Sequence, residues 1–345
     1  MKATVLVAGG WGTALANVLA DNGHEVALWT RSSEQAEEIN QEHHNRKLPG
    51  HYLIHASVRA TTSMEEAVQG SGLVLLAAPS SAMREVAKQL CAFVEPDMLI
   101  VHATKGFETH SLLPMSTVIA SELPHMSAEK IVALSGPSHA EEVIVRSPTT
   151  IVVASSHIKS AEAAQDWLMN SYFRVYTNPD IKGAEVAGAL KNIIAFGAGM
   201  SDGFGFGDNA KAALITRGLA EIARLGAAMG ANPLTFAGLA GVGDLVATCT
   251  SKHSRNWRAG YAVAQGQSLD EVLGKMGMVV EGVKTTKAAV ELAHRFKVDM
   301  PIAEQLHCVI FEGKSPKAAV EALMGRVKTH ELEDIAKTNR EKWLR

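Results

Sequence analysis

Residues 4–22 read TVLVAGGWGTALANVLADN, and the changes of pattern within them decide the fold class. Residues 4–7 form a short apolar, β-branched run of the kind that makes a buried strand. Glycines at 9, 10 and 12 interrupt it, and over residues 11–22 the apolar positions recur at helical spacing. A strand, a glycine turn and a helix in immediate succession open a βαβ unit. Gly9 and Gly12 also stand at the spacing of the second and third glycines of the fingerprint G-x-G-x-x-G. There the second glycine lets a pyrophosphate approach the backbone, and the third lets the helix pack close to the strand. Val7 occupies the first glycine's place. A β-branched residue there is expected to strain the turn or shift the strand end, and to weaken cofactor affinity.

The strand theme recurs through the first half, at residues 25–30, 73–78, 98–103, 130–134 and 150–154. Strands apolar throughout and separated by helices imply a parallel sheet covered on both faces, the doubly wound α/β pattern. From Ile181 onward the chain changes character. Ala212, Leu214, Ile215, Leu219, Ile222 and Ala223 follow the three-and-four spacing of a helix face, and residues 269–276, 285–296 and 315–324 read the same way. The expected organisation is a Rossmann-like nucleotide-binding domain over residues 1–180 and an all-helical substrate domain over 181–345. The turn-like Asn178-Pro179-Asp180 marks the join.

A length of 345 residues suits two domains, and 47% hydrophobic with 20% charged residues is the balance of a soluble globular protein. A net charge of -3 argues against a general nucleic-acid binder. The three cysteines, Cys91, Cys249 and Cys308, are far apart and form no CxxC pair, which fits a reducing compartment and no zinc site. No signal-peptide core follows Met1, and no apolar run is long enough for a stable membrane insertion. A cytoplasmic location is expected. His43, His44, His51 and His55 lie close in sequence, but without HExxH or cysteine partners they read as surface histidines, and no metal is expected.

The second strand ends Leu28-Trp29-Thr30-Arg31, with no acid to bind a ribose 2′-hydroxyl. An arginine holds a 2′-phosphate instead, so NADP is expected over NAD. Residues 188–218 read GALKNIIAFGAGMSDGFGFGDNAKAALITRG. Lys191 stands in an apolar helical run with Asn192 beside it, and a glycine turn at Gly199, Gly203, Gly205 and Gly207 is expected to lead into a second helix. An ammonium buried among apolar residues needs a partner or a task. Hydride transfer to a ketone needs a proton donor at the carbonyl oxygen, and Lys191 suits that role. Burial or a nearby cation, with Lys105 as the candidate, would bring a lysine down from its usual pKa of about 10.4. Lys105 follows the run at 98–103, where the carboxyl ends of strands form a ligand crevice. Asp244 and Thr248 are four apart, on one helix face, and are read as holding a hydroxyl or orienting the lysine. Ser254-Arg255-Asn256 precedes a helical run, a pattern that serves as a phosphate cradle or as a simple cap.

These motifs resemble, over residues 4–330, the glycerol-3-phosphate dehydrogenases that use NAD or NADP. The resemblance is carried by the run around Lys191, Gly-Gly-Trp-Gly-Thr-Ala-Leu-Ala from Gly9, Thr104-Lys105-Gly106, Ser135-Gly-Pro-Ser-His-Ala140, Gly241-Val-Gly-Asp-Leu-Val-Ala-Thr-Cys249 and Gly277-Met-Val-Val-Glu-Gly282. Val7 and Gly10 depart from the family pattern. The resemblance implies interconversion of dihydroxyacetone phosphate and sn-glycerol 3-phosphate, a supply of the glycerol backbone of phospholipids, and a homodimer. It implies Lys191 as the catalytic residue. Substrate contacts are implied at Lys105, Gly136, Ser138, Lys191, Asn192, Asp244, Thr248, Ser254, Arg255 and Asn256. Cofactor contacts are implied at Gly9, Gly10, Trp11, Gly12, Arg31, Lys105, Ala140, Arg255, Val279 and Glu281. Two alternatives stand beside this reading: a related hydroxy-acid dehydrogenase, and a non-catalytic dinucleotide-binding redox sensor.

Overall fold

The computed structural model describes residues 1–345 except 49, 51, 277–279, 329–330 and 332–345. The chain divides into two compact units, Met1–Glu185 and Val186–Arg345. The first unit carries one eight-stranded sheet: β1 (Lys2–Leu6), β2 (Glu25–Trp29), β3 (Val58–Thr61), β4 (Leu73–Leu76), β5 (Leu99–His102), β6 (Ile131–Ser135), β7 (Thr149–Ala154) and β8 (Phe173–Asn178), in the order β3-β2-β1-β4-β5-β6-β7-β8. The order reverses between β1 and β4, and ligands of open α/β sheets bind outside the strand ends at such a switch point.

Side-chain alternation along the strands feeds two apolar layers. Val5, Leu28, Leu75 and Val101 meet Leu15 and Val18 of the Gly10–Asp21 helix on one face. Leu6, Val74, Leu76 and Ile100 meet Met83 and Val118 on the other. Strands covered twice are apolar at nearly every central position, which is why these segments are legible as runs.

Two expectations meet the structure here, and the parallel sheet is the one that changes. β7 runs antiparallel to β6, because the link between them holds a single four-residue helix, Ala140–Val143, and does not carry the chain back to the starting end. Val7 has left β1 and sits at φ 79°, a left-handed value that a β-branched residue rarely takes. Two strands, β3 and β8, were absent from the sequence reading. β8 is the rim strand, and Arg174 and Tyr176 alternate outward between buried Phe173 and Val175.

The second unit holds only helices among the described residues. Helix Ile181–Gly203 begins just before it and is buried almost throughout its central turns. Gly199 and Gly203 lie inside this helix, not in a turn. A Cβ at Gly199 would lie 1.9 Å from the Trp257 carbonyl oxygen, so the glycine is there for the backbone contact with helix Arg255–Ala264. The turn itself is confined to residues 204–207, with Gly205 and Gly207 at positive φ. Helix Pro301–Phe311 has no side-chain cap of its own. Glu221, 3% exposed, accepts from the N–H groups of Ile302 (2.7 Å) and Ala303 (3.3 Å) instead. Burial pushes the Glu221 carboxyl up to about 7.

Candidate active site

In the first unit the glycine turn follows β1 at the switch point. Helix Gly10–Asp21 makes its first intrahelical bond from the Thr13 N–H to the Gly9 carbonyl, at 2.9 Å. The N–H groups of Gly10, Trp11 and Gly12 therefore precede the ladder and point out of its N-terminus, where the helix dipole favours an anion. Gly12 has no room for a side chain, since a Cβ would lie 2.3 Å from the Val7 carbonyl oxygen and 3.2 Å from Ala77 on the neighbouring strand's exit. This is the close packing that the third fingerprint glycine provides. Arg31 is exposed just past the end of β2, beside the buried Thr30. These backbone and side-chain groups fit a dinucleotide pyrophosphate and ribose.

The same unit brings together three residues taken from the sequence. The Gly136 carbonyl accepts from Lys105 Nζ and from Ser138 Oγ, both at 2.9 Å. Lys105 follows β5, and Gly136 and Ser138 follow β6, so adjacent strand exits supply them. Ala140 opens the four-residue helix beyond. Just inside β5, His102 and Glu185 are both buried, with Nε2 3.2 Å from Oε1, and the Glu185 carboxylate accepts from the Ser116 N–H (2.7 Å) and Oγ (2.6 Å). The sequence reading did not single out this buried polar pair, because its members lie far apart in the chain.

In the second unit Lys191 is 6% exposed. Its Nζ donates to Asp244 Oδ1 at 2.5 Å and to Thr248 Oγ1 at 2.6 Å. Asp244 and Thr248 both belong to helix Asp244–Thr250, and the Thr248 hydroxyl lies 2.6 Å from the Asp244 carbonyl oxygen, one helical turn back. Within this unit the charged group against Lys191 is the Asp244 carboxylate. The carboxylate and the hydroxyl hold the Lys191 amine in one position within the buried cluster. Burial also pushes the neighbouring Cys249 thiol up to about 12, which leaves it inert beside the pair.

The flanking residues divide into those that hold structure and those left available. Asn256 donates to Asn192 Oδ1 (2.9 Å) and accepts from the Gly282 N–H (2.8 Å), so its amide ties three helices together. Ser254 is the N-cap of helix Arg255–Ala264 and accepts from the Trp257 N–H at 3.2 Å. Arg255, the first helical residue, is exposed. Glu281 opens helix Glu281–Phe296. Val279 lies outside the described residues. Among the described residues no group of three or more His, Cys, Asp and Glu side chains is placed to hold a metal ion, and no helix is long and apolar enough to cross a membrane. All three cysteines are free.

The first unit is the nucleotide-binding half of a dehydrogenase by its sheet order and its glycine turn. The model of the NAD-dependent glycerol-3-phosphate dehydrogenase N-terminus matches residues 2–161, and that of the NAD-dependent glycerol-3-phosphate dehydrogenase C-terminus matches residues 180–321. A Bacillus velezensis relative named glycerol-3-phosphate dehydrogenase (NAD(P)+) is 56% identical over 98% of both chains. A Bacillus subtilis relative of the same name is 54% identical over 98% of both. The solved glycerol-3-phosphate dehydrogenase of Coxiella burnetii superposes with a TM-score of 0.88 at 37% identity, covering 94% of this chain and 99% of the other. The chain belongs to the NAD-dependent glycerol-3-phosphate dehydrogenase family.

Proposed function

We propose that this chain interconverts dihydroxyacetone phosphate and sn-glycerol 3-phosphate with NAD(P)H. The observation that carries the reading is the buried Lys191–Asp244–Thr248 cluster, in a chain so similar over its whole length to relatives named for this activity. Bound NAD(P)H supplies the hydride. Lys191 donates its proton to the carbonyl oxygen in the reducing direction and takes it back in the oxidising direction. Asp244 keeps the lysine charged and aimed, and Thr248 fixes its second hydrogen bond. Exposed Arg255, at the start of a ten-residue helix, binds the substrate phosphate with help from the helix N-terminus. Lys105, Gly136, Ser138 and Asn192 complete the substrate contacts, with Ser254 and Asn256 holding the cradle in shape.

The cofactor is held by the backbone at Gly9, Gly10, Trp11 and Gly12, by Arg31, and by Lys105, Ala140, Arg255, Val279 and Glu281. NADP is preferred over NAD, because no acid stands at the end of β2 and Arg31 does. The enzyme works in the cytoplasm as a homodimer and supplies glycerol 3-phosphate for phospholipid synthesis. Oxidation of NADPH by the purified chain, with dihydroxyacetone phosphate and separately with phosphate-free dihydroxyacetone, tests the activity. Turnover confined to the phosphorylated ketone is expected. Equal turnover of both ketones would favour a hydroxy-acid type of dehydrogenase, and tight NADPH binding without turnover a redox sensor.

A further inference from the structure

Behind the glycine turn lies a buried polar cluster whose members carry no role above. Asn45 is 2% exposed, Gln35 6%, Thr30 5% and Thr13 0%. Asn45 is the hub. Its Nδ2 donates to the Ala8 carbonyl (3.1 Å) and to Thr13 Oγ1 (2.7 Å). Its Oδ1 accepts from Gln35 Nε2 (2.9 Å) and from the Lys47 N–H (3.1 Å). A primary amide has two donor hydrogens and two acceptor lone pairs, so every position it offers is used. Gln35 Nε2 also donates to the Ala8 carbonyl (2.7 Å), and Gln35 Oε1 accepts from the Thr30 hydroxyl (2.6 Å). Thr13 passes the contact on, its hydroxyl donating to the Gly9 carbonyl at 2.8 Å.

The cluster therefore grips two successive carbonyls of the turn, Ala8 and Gly9. A carbonyl and the following N–H are opposite ends of one rigid peptide plane. Fixing the Gly9 carbonyl fixes the direction of the Gly10 N–H, the first donor offered to the pyrophosphate. The grip is needed because Val7, one residue upstream, sits at φ 79°. That conformation is costly for a β-branched residue and persists only where its surroundings over-determine it. The loop bearing Asn45 also lies against the turn, since a Cβ at Gly10 would be 3.2 Å from the Lys47 carbonyl oxygen and 3.4 Å from Leu48. At its other end the cluster holds Thr30, the residue before Arg31.

We propose that Asn45, backed by Gln35, is a positioning residue of the dinucleotide site. It holds the strained turn after Val7 in the one shape that aims the helix N-terminus at the pyrophosphate, and it ties that turn to the strand end that carries Arg31. This rests on the cofactor reading given above. The test is fluorescence titration of NADPH into the purified full-length chain, with steady-state kinetics beside it, for Asn45→Asp, Asn45→Ala and Thr13→Val, each in the Val7 and Val7→Gly backgrounds. Asn45→Asp keeps the shape but sets an acceptor against the Ala8 carbonyl and Thr13. Weakening of NADPH by about tenfold or more is expected, a factor that corresponds to about one hydrogen bond to a charged or buried group. KM for dihydroxyacetone phosphate and kcat at saturating NADPH should stay within about twofold, the signature of a lost cofactor interaction alone. In the Val7→Gly background the same substitution should cost about threefold or less, because glycine needs no grip to hold that conformation.

Unchanged NADPH affinity in Asn45→Asp overturns the proposal. So does an equal change in the cofactor and triose constants, or an equal loss in both backgrounds. If the Asn45 variants do not fold, Thr13→Val cuts the arm to Gly9 with almost no change of shape, and its NADPH titration decides. A wild type that binds NADPH but reduces no triose phosphate overturns the activity proposed above and leaves the binding comparison to decide Asn45.

Discussion

The contact between Lys191 and Asp244 makes activity and stability separable. Lys191→Ala removes the proposed proton donor and leaves Asp244, 1% exposed, as a buried carboxylate facing the space of the lost ammonium. Removing one partner of a buried ion pair costs about 3–5 kcal/mol of stability. For a unit of this size that is a fall of about 10 °C in Tm, at roughly 2–4 °C per kcal/mol. Loss of a general acid costs about a hundred- to ten-thousand-fold in kcat. The stability loss arises from keeping a buried carboxylate without its ammonium, so a second substitution that neutralises the charge should remove it. The pair Lys191→Met and Asp244→Asn together should recover most of the Tm while kcat stays at the level of Lys191→Ala. NADPH binding, to which Lys191 and Asp244 are assigned no contact, should change little in any of them. Thermal unfolding, NADPH titration and single-turnover reduction of dihydroxyacetone phosphate measure the three quantities. Near-normal kcat in Lys191→Ala would refute the role of proton donor. A double variant no more stable than the single one would refute the account of the buried pair.

Arg255→Ala should raise KM for dihydroxyacetone phosphate by about ten- to a hundredfold and leave a phosphate-free ketone almost unaffected, since a charge-assisted hydrogen bond is worth about 1.5–3 kcal/mol. Equal losses on both ketones in steady-state assays would make the residue structural. Arg31→Ala should weaken NADPH and leave NADH nearly untouched, because only NADPH carries the 2′-phosphate. Titration of both cofactors checks this, and a wild type without NADPH preference sinks it. Glu221 has a carboxyl raised by burial, so its contribution to stability is full below the ordinary carboxylate range and is lost as pH rises through about 7. Glu221→Gln should match the wild type near pH 4.5 and become the more stable protein by about 3 kcal/mol above pH 7, read by urea unfolding across that window. A parallel pH dependence of the two proteins would show that the carboxyl is already ionised in the fold.

What was legible in the sequence follows from where the chain's constraints are local. β1, β2, β4 and β5 are covered on both faces, so each announces itself as a mostly apolar run, broken only by Thr4 within β1 and by Lys2, Glu25 and His102 at strand ends. β8 is a rim strand with Arg174 and Tyr176 facing outward, and β3 has an exposed Arg59 between Val58 and Ala60, so neither forms such a run. Gly199 reads as a turn glycine because sequence alone cannot show Trp257 pressed against it. At the site, the glycine spacing at 9 and 12 and the lone Lys191 in an apolar helix were visible as patterns. The carboxylate partner was half visible, in the four-residue spacing of Asp244 and Thr248. Asn45 was not visible at all. It lies in the polar run His43-His-Asn-Arg-Lys47, and its bonds reach back 37 residues to Ala8 and 32 to Thr13.

Helix Pro301–Phe311 carries a consequence for the order in which the second unit assembles. Its first N–H groups have no side-chain cap nearby and find their acceptor on Glu221, 81 residues earlier in the chain at Ile302. An isolated segment of eleven residues is too short to be a stable helix in water, and this one also begins with its end unsatisfied. It cannot be an early nucleus. The largely helical chain between Glu221 and Ile302 must first bring its ends together, at an entropic cost that the contact itself does not repay. The helix end is therefore expected to form late in folding. Replacement of Glu221 will act on how fast the native protein comes apart and leave its rate of folding almost unchanged.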